Sequence, residues 1–182
     1  METGVLLIRP RRPGNGSQSI LGLVSGLFTL CLIAACGQST STDEPPGEPP
    51  LTAAALGEQK LQSNQAWLAS AEFSGTDSAW GERLAMQCRA CHGLEAGTGH
   101  MLGPSLYGFF GQKAGSAEGF RYSAALTESN FSWTPGALDA WLAQPAVFLP
   151  GNSMAFAGLR KADDRRAVIA YLLKVSDDSG SQ

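Results

Sequence analysis

The sequence predicts an all-α domain, and three observations point to it. Apolar residues recur at helical spacing in three separate stretches, the first closing at Arg89, the second before Pro145 and the third at Val175. Between the first two, the chain is rich in glycine and lacks the apolar/polar alternation of strands. Finally, Cys88, Cys91 and His92 stand at i, i+3 and i+4, which on a helix brings two thiols and an imidazole to one face. C-x-x-C-H is the pattern by which a c-type haem is attached. Two thioether bonds would fix the porphyrin edge, and His92 would reach its iron. A redox C-x-x-C is the first alternative, but it calls for a βαβ pattern that is missing. A structural zinc site is the second; it needs a fourth ligand, and only His100 is at hand.

The front of the chain reads as a targeting segment rather than core. Met1 to Ser19 is polar and carries Arg9, Arg11 and Arg12; Ile20 to Ala35 is then a run of 16 apolar or small residues, short for a membrane span. Residues 1–35 are thus a signal peptide. Their end, Leu32-Ile33-Ala34-Ala35-Cys36, resembles the lipobox of bacterial lipoproteins, which implies cleavage before Cys36 and lipidation of its sulfur. One acyl chain anchors only reversibly, so several would be needed for durable attachment. An ordinary secretory signal or an uncleaved anchor are the other readings. Cys31 would leave with the signal, Cys36 would carry lipid, and Cys88 and Cys91 would be spent on haem, leaving no cysteine for a disulfide.

Residues 36–76 are expected to form a flexible linker. Gln38 to Pro50 is rich in Ser, Thr, Pro and Glu, and could reach about 40 Å if extended. Leu51 to Ser74 has a helical tendency, through Leu56, Leu61, Trp67 and Leu68, without a fixed position. The folded domain is placed at residues 77–175. Trp80, Leu84 and Cys88 recur every four residues, predicting a helix over Asp77 to Arg89, with Gly81 allowing another backbone close. A short helix is expected within Tyr122 to Asn130. Thr134 before Pro135 is a helix-start signal, and Leu138, Trp141 and Leu142 give that helix an apolar face before Pro145 ends it. In Ala162 to Val175, Val168, Tyr171, Leu172 and Val175 form a stripe, while Asp163 and Asp164 suit the positive end of the helix dipole. Residues 176–182 are expected to form a polar, frayed tail.

An iron held by His92 alone would leave its other face open. Pro150 to Phe156 offers Met154 in a turn between helices. A methionine is more often core filler than ligand. Here the haem motif lies upstream, Pro150 and Gly151 force a loop, Met86 is too near the attachment helix, and Met101 sits in the loop just after it. A thioether favours ferrous iron, so ligation by His92 and Met154 would raise the reduction potential and leave one-electron exchange as the chemistry.

The motifs GERLAMQCRACH, LGPSLYGFFGQKAG, FRYS, FSW, FLPGNSMAFAGL and RRAVIAYLLK, spread over about Trp80 to Lys174, resemble class I cytochrome c in its mitochondrial and bacterial c2-like branch. The resemblance implies the cytochrome c fold, three main helices and loops wrapped around one covalently bound haem c, and it implies an electron carrier rather than an enzyme. It further implies that the Pro104 carbonyl accepts from His92, that His100 bonds backbone, that Tyr122 and Trp133 donate to a haem propionate, and that Phe156 covers the haem edge. Gly81, Leu84, Val168 and Tyr171 would form the crossing of first and last helices. Gln112 stands where the family usually has an arginine, Leu126 replaces an asparagine, Trp141 a tyrosine near the methionine sulfur, and Asn152 a hydroxyl residue.

Charge narrows the partners. Asp77 to Val175 holds nine basic and eight acidic residues, and no basic stripe suggests nucleic acid. Where mitochondrial members ring the haem edge with lysines, this chain has Gln87, Ala146, Val147 and Ser153, though Arg160 and Lys161 remain. The expectation is a monomeric carrier, tethered by a lipid at Cys36 to the periplasmic side of a bacterial membrane. It would shuttle electrons between membrane-bound redox partners, such as a respiratory or dehydrogenase donor and a terminal oxidase. Alternatives are a fixed haem subunit of a larger oxidoreductase and a haem ligand sensor or weak peroxidase.

Overall fold

Residues 50–176 are described by the computed structural model, and the order of their helices follows the caps written in the sequence. α1 (Asn64–Leu68) starts at Ser63, whose hydroxyl accepts from the Ala66 N–H. α2 (Ser78–Arg89) starts at Asp77, whose carboxylate accepts from the Trp80 N–H at 2.9 Å. α3 (Ala124–Glu128) is capped by Ser123 and α4 (Pro135–Ala143) by Thr134, with Pro135 in the first turn. Each cap satisfies a donor that the helix itself leaves unpaired. α6 (Ala162–Val175) has Asp163 and Asp164 in its first turn and Lys174 in its last, matching the dipole at both ends.

Pro145 does more than end α4. It also occupies the first turn of a one-turn helix, α5 (Pro145–Phe148), since proline's fixed φ suits a helix start as well as a stop. The chain then returns across the end of α4, and the Leu159 N–H donates to the Leu142 carbonyl at 2.7 Å. That bond satisfies a carbonyl that α4 leaves open.

α6 is the element the others pack on: α2, α4 and α1 all lie against it. The α2–α6 crossing depends on Gly81, where a Cβ would lie 2.1 Å from the Ala167 carbonyl oxygen and 3.1 Å from the Tyr171 Cβ. Val168 is wholly buried there. Leu84 is only half-buried, and Ala85, one residue on, is the side chain of α2 that is fully enclosed. The outer side of the crossing is closed by polar bonds. The Trp80 indole donates to Asp164 at 2.8 Å, and Arg165 reaches Asp139 of α4 at 2.8 Å and the carbonyls of Leu159 and Arg160.

Two expected boundaries move. Residues 50–76 are not a free linker up to Asp77: Trp67 and Phe73 are buried in the core, the Asn64 amide donates to the Leu173 carbonyl at 3.0 Å, and the Gln59 amide binds Ser132. Burial of two large aromatic side chains offsets the ordering entropy that a linker would keep. At the other end Ser176 is buried, its hydroxyl donating to the Leu172 carbonyl and its own carbonyl accepting from the Gly108 N–H at 2.9 Å. The expected signal peptide, Cys36 with its linker to residue 49, and tail residues 177–182 lie outside the described residues. No described helix is long and apolar enough to cross a membrane.

Candidate functional site: a haem cavity

α2 delivers the Cys88 side chain at its last turn, and Cys91 and His92 follow in the turn that ends it. The N–H groups of Cys91 and His92 both donate to the Cys88 carbonyl, at 3.1 and 2.9 Å, so the three side chains share one local frame. They open onto a cavity of about 550 Å³. Its remaining walls come from the loop after His92, from Tyr122 and Trp133, from α4 through Leu138, Trp141 and Leu142, and from the loop carrying Met154 and Phe156. Pro104 also lines it. All nine residues singled out for the cofactor therefore face one space, although they span 69 positions of chain between Cys88 and Phe156.

The imidazole is prepared as a ligand. Its Nδ1 lies 2.7 Å from the Pro104 carbonyl oxygen. A carbonyl can only accept, so Nδ1 carries the proton and Nε2 keeps its lone pair. Burial lowers the pKa of His92 below its usual value, with the Pro104 bond acting in the opposite direction. The ring is thus neutral at physiological pH, the form that binds a metal. Beside it, burial pushes the Cys88 thiol up to about 11, the response expected of a sulfur in an apolar wall. Gly103 permits this arrangement. A Cβ on it would stand 2.3 Å from His92 Cε1 and 2.6 Å from Nδ1, a close approach with no signal in the sequence beyond the glycine itself.

Met154 is held by a side-chain clamp. Asn152 donates through Nδ2 to the carbonyls of Pro145 and Leu149 at 2.9 and 2.8 Å, and its Oδ1 accepts from the Met154 N–H at 2.9 Å. One amide thereby ties the methionine backbone to α5, filling the place of the hydroxyl residue with a longer reach. Gly151 turns the chain there with φ +85°.

Two indoles add hydrogen-bond donors to the wall. Neither Trp133 nor Trp141 has an acceptor for its N–H among the described residues, and both line the cavity. They meet edge to face, 5.4 Å between centroids, with Phe131 and Phe148 packed behind. Tyr122 is half-buried, which raises its hydroxyl pKa. Gln112 lines the cavity where the family has an arginine, and the neighbouring Lys113 does too. Lys113 is the one Lys or Arg among the lining residues, so a cation remains available where sequence reasoning left only neutral donors or water.

These features fit a covalently held haem and do not fit the alternatives. An apolar cavity holds two thiols, a neutral imidazole with a free lone pair, a thioether, and N–H donors lacking protein acceptors. No group of three His, Cys, Asp or Glu among the described residues is arranged to hold a metal ion. His100, the only candidate for a fourth zinc ligand, has both nitrogens engaged, Nε2 with the Glu118 carbonyl at 2.8 Å and Nδ1 with the Ser105 N–H at 2.9 Å. Among the described residues the only β pairing is the isolated bridge between Lys113 and Ser132, and no βαβ unit is found there.

Arg89, between the two cysteines, braces the attachment turn. Its guanidinium donates to the Tyr171 hydroxyl at 2.6 Å and pairs with Glu95 at 2.5 Å. The hydrogen bond from Arg89 holds the Glu95 carboxyl below the ordinary carboxylate range. A depressed pKa contributes stability that is present above the unfolded value and is lost as pH falls through the folded one. Because the Glu95 side chain is about half exposed, the effect is below about 1 kcal/mol. Glu95→Gln is expected to lower urea stability at pH 7, with the gap to the parent closing as pH falls below the carboxylate range. A gap that stays constant across that range would contradict the ion pair.

No family model matches the chain. Cytochrome c of Chlamydomonas reinhardtii is 44% identical over 103 residues, which is 56% of this chain and 92% of that protein. Cytochrome c2 iso-2 of Magnetospirillum molischianum is 47% identical over 85 residues, 47% of this chain and 87% of its own. Among solved structures, cytochrome cH from Methylobacterium extorquens is similar with a TM-score of 0.50 at 38% identity, covering 54% of this chain and 98% of that one.

Proposed function

The chain belongs to the class I cytochromes c, a haem electron carrier with covalent haem c and not an enzyme, and from that premise we propose that it is a membrane-tethered shuttle between periplasmic redox partners. The haem supplies a one-electron couple. The residues of this chain would fix its setting: Cys88 and Cys91 would hold its edge, His92 and Met154 would supply its iron with a nitrogen and a sulfur donor, and Trp133, Trp141 and Tyr122 would offer hydrogen-bond donors to its polar margin. Phe156, which lines the cavity, would cover the haem edge. The observation that carries this reading is the His92 Nδ1 bond to Pro104 in the cavity that Cys88, Cys91 and Met154 also line. It supplies a neutral nitrogen donor beside two thiols, with a soft sulfur on the same cavity.

Docking would use the mouth of the cavity. Gln87, Leu102, Ser153 and Ala155 line it and are exposed, Leu102 at 83%; Val147 is exposed nearby in sequence to this loop. None of these is charged, and the two exposed charged residues of the cavity lining, Lys113 and Glu118, are of opposite sign, so long-range steering is weak, and confinement by a lipid at Cys36 would raise the effective concentration of a membrane partner instead. Cleavage of residues 1–35 and lipidation of Cys36 are part of this proposal. An optical redox titration of the purified holoprotein tests the carrier reading: a low-spin spectrum with a sulfur-to-iron charge-transfer band in the oxidised form and a single one-electron wave are expected. A high-spin ferric spectrum would refute the proposed ligation. Electron-transfer rates with a membrane-bound partner are expected to change little with ionic strength, and a steep fall with salt would refute docking through a neutral patch.

A further inference from the structure

Segment 50–76 lies before the stretch that resembles cytochrome c, yet it is bonded to the cavity wall at one residue. The Gln59 side chain reaches Ser132 with both ends of its amide: Nε2 donates to the Ser132 carbonyl at 2.7 Å, and Oε1 accepts from the Ser132 N–H at 2.8 Å. This is the pairing that a neighbouring strand would make. The other edge of the same short stretch is already paired, because the Ala114 N–H donates to Phe131 O at 2.9 Å and the Trp133 N–H to Gln112 O at 2.9 Å. Gln59 therefore completes the second side of a stretch only a few residues long, whose next residue is Trp133. Its Nε2 also lies 3.2 Å from the Thr134 hydroxyl, the group that caps α4 and so fixes the helix carrying Trp141.

A second contact points the same way. Trp67 of α1 packs on Phe110 with 5.9 Å between centroids, Phe110 on Phe109 at 4.3 Å, and Phe109 on Trp133 at 6.2 Å. Phe109 and Trp133 line the cavity. The segment thus reaches the back of the wall whose front presents the indole donors, once by hydrogen bonds and once by packing.

We infer that residues 50–76 act as a strap and that Gln59 is a positioning residue for Trp133 and the start of α4, setting the polar margin against which the haem carboxylates lie. This rests on the haem reading of the cavity. Loosening Ser132 would let the Trp133 indole drift, and a weaker donor at a carboxylate changes both the charge beside the iron and the pH at which that charge is lost. A strap that merely added stability would leave those properties alone.

The test uses the full-length holoprotein. Gln59→Leu removes the two bonds to Ser132 and the one to Thr134 at similar bulk, while Asn64→Ala removes the strap's bond to the Leu173 carbonyl of α6 and leaves those to Ser132 and Thr134 in place. Midpoint potential against pH is read by voltammetry, and exchange of the Trp133 indole N–H is read by NMR on the reduced form. For Gln59→Leu, a shifted potential, a displaced pH dependence and indole exchange faster by about tenfold are expected, the last matching the loss of one to two hydrogen bonds. Asn64→Ala is expected to lower the melting temperature and leave potential and exchange unchanged. Should Gln59→Leu yield too little folded protein, Gln59→Met likewise removes the amide without adding charge, and a shift of the same sign is expected. If the Gln59 variants change melting alone, or if Asn64→Ala moves the potential equally, the positioning role is overturned. A parent protein without covalent haem would instead sink the reading beneath it.

Discussion

Met154→Ala is expected to lower the midpoint potential by a substantial part of the roughly 0.8 V that axial ligands span, and to open the iron to external ligands. The argument starts from the donor. A thioether is soft and neutral, so it stabilises ferrous over ferric iron; alanine offers nothing, and water or hydroxide, harder donors that favour the ferric state, would take its place. Asn152 holds the loop by three hydrogen bonds that do not involve the methionine side chain, so the backbone should survive the substitution. The variant should therefore fold, bind carbon monoxide when reduced at neutral pH, and lose the sulfur-to-iron band. Unchanged absorbance and voltammetry would show that Met154 is core filler and that the iron is ligated otherwise.

Gly103→Ala is expected to act with the opposite sign on potential and more severely on folding. Its Cβ would meet three atoms of the imidazole, at 2.3, 2.6 and 2.7 Å, and the ring cannot yield because Pro104, the next residue, holds its Nδ1. The Gly103 N–H also donates to the Cys91 carbonyl at 2.8 Å, so retreat of the loop would break a bond at the attachment turn as well. Overpacking and two lost hydrogen bonds together cost about 2 to 5 kcal/mol. Holoprotein yield and melting temperature should fall. In whatever holoprotein forms, an imidazole without its carbonyl partner is a poorer donor to ferric iron, and the potential should rise. Gly99→Ala provides the comparison: nothing lies within 4 Å of a Cβ there, and stability is expected to stay within about 0.5 kcal/mol. Equal effects at the two glycines would remove the steric account.

Local chemistry written along the chain specified the helices. α6 covers the predicted Ala162–Val175, and α2 and α4 begin at the residues after Asp77 and Thr134, because a cap and an apolar stripe are properties of adjacent residues. Pro145 was ambiguous for a physical reason, since its ring both stops one helix and suits the start of another. Leu84, named for the α2–α6 crossing, packs against the core but stays partly exposed, and the fully buried Ala85 beside it was not singled out, because a methyl group gives little hydrophobic signal in a sequence.

By itself the sequence determined which groups the site would draw on: Cys88, Cys91 and His92 form one C-x-x-C-H motif, and Met154 stands in the loop after Pro150 and Gly151. Tertiary structure decided what holds these groups in place. Gly103 against the imidazole, Asn152 beneath the methionine loop, Lys113 at the polar margin and Gln59 behind Trp133 act on partners distant in space or through empty volume. The same is true of Trp67 and Phe73, which turn an expected linker into part of the fold. Burial and close approach depend on which surfaces meet after the chain has folded, and a weak helical tendency in a short stretch does not record that meeting.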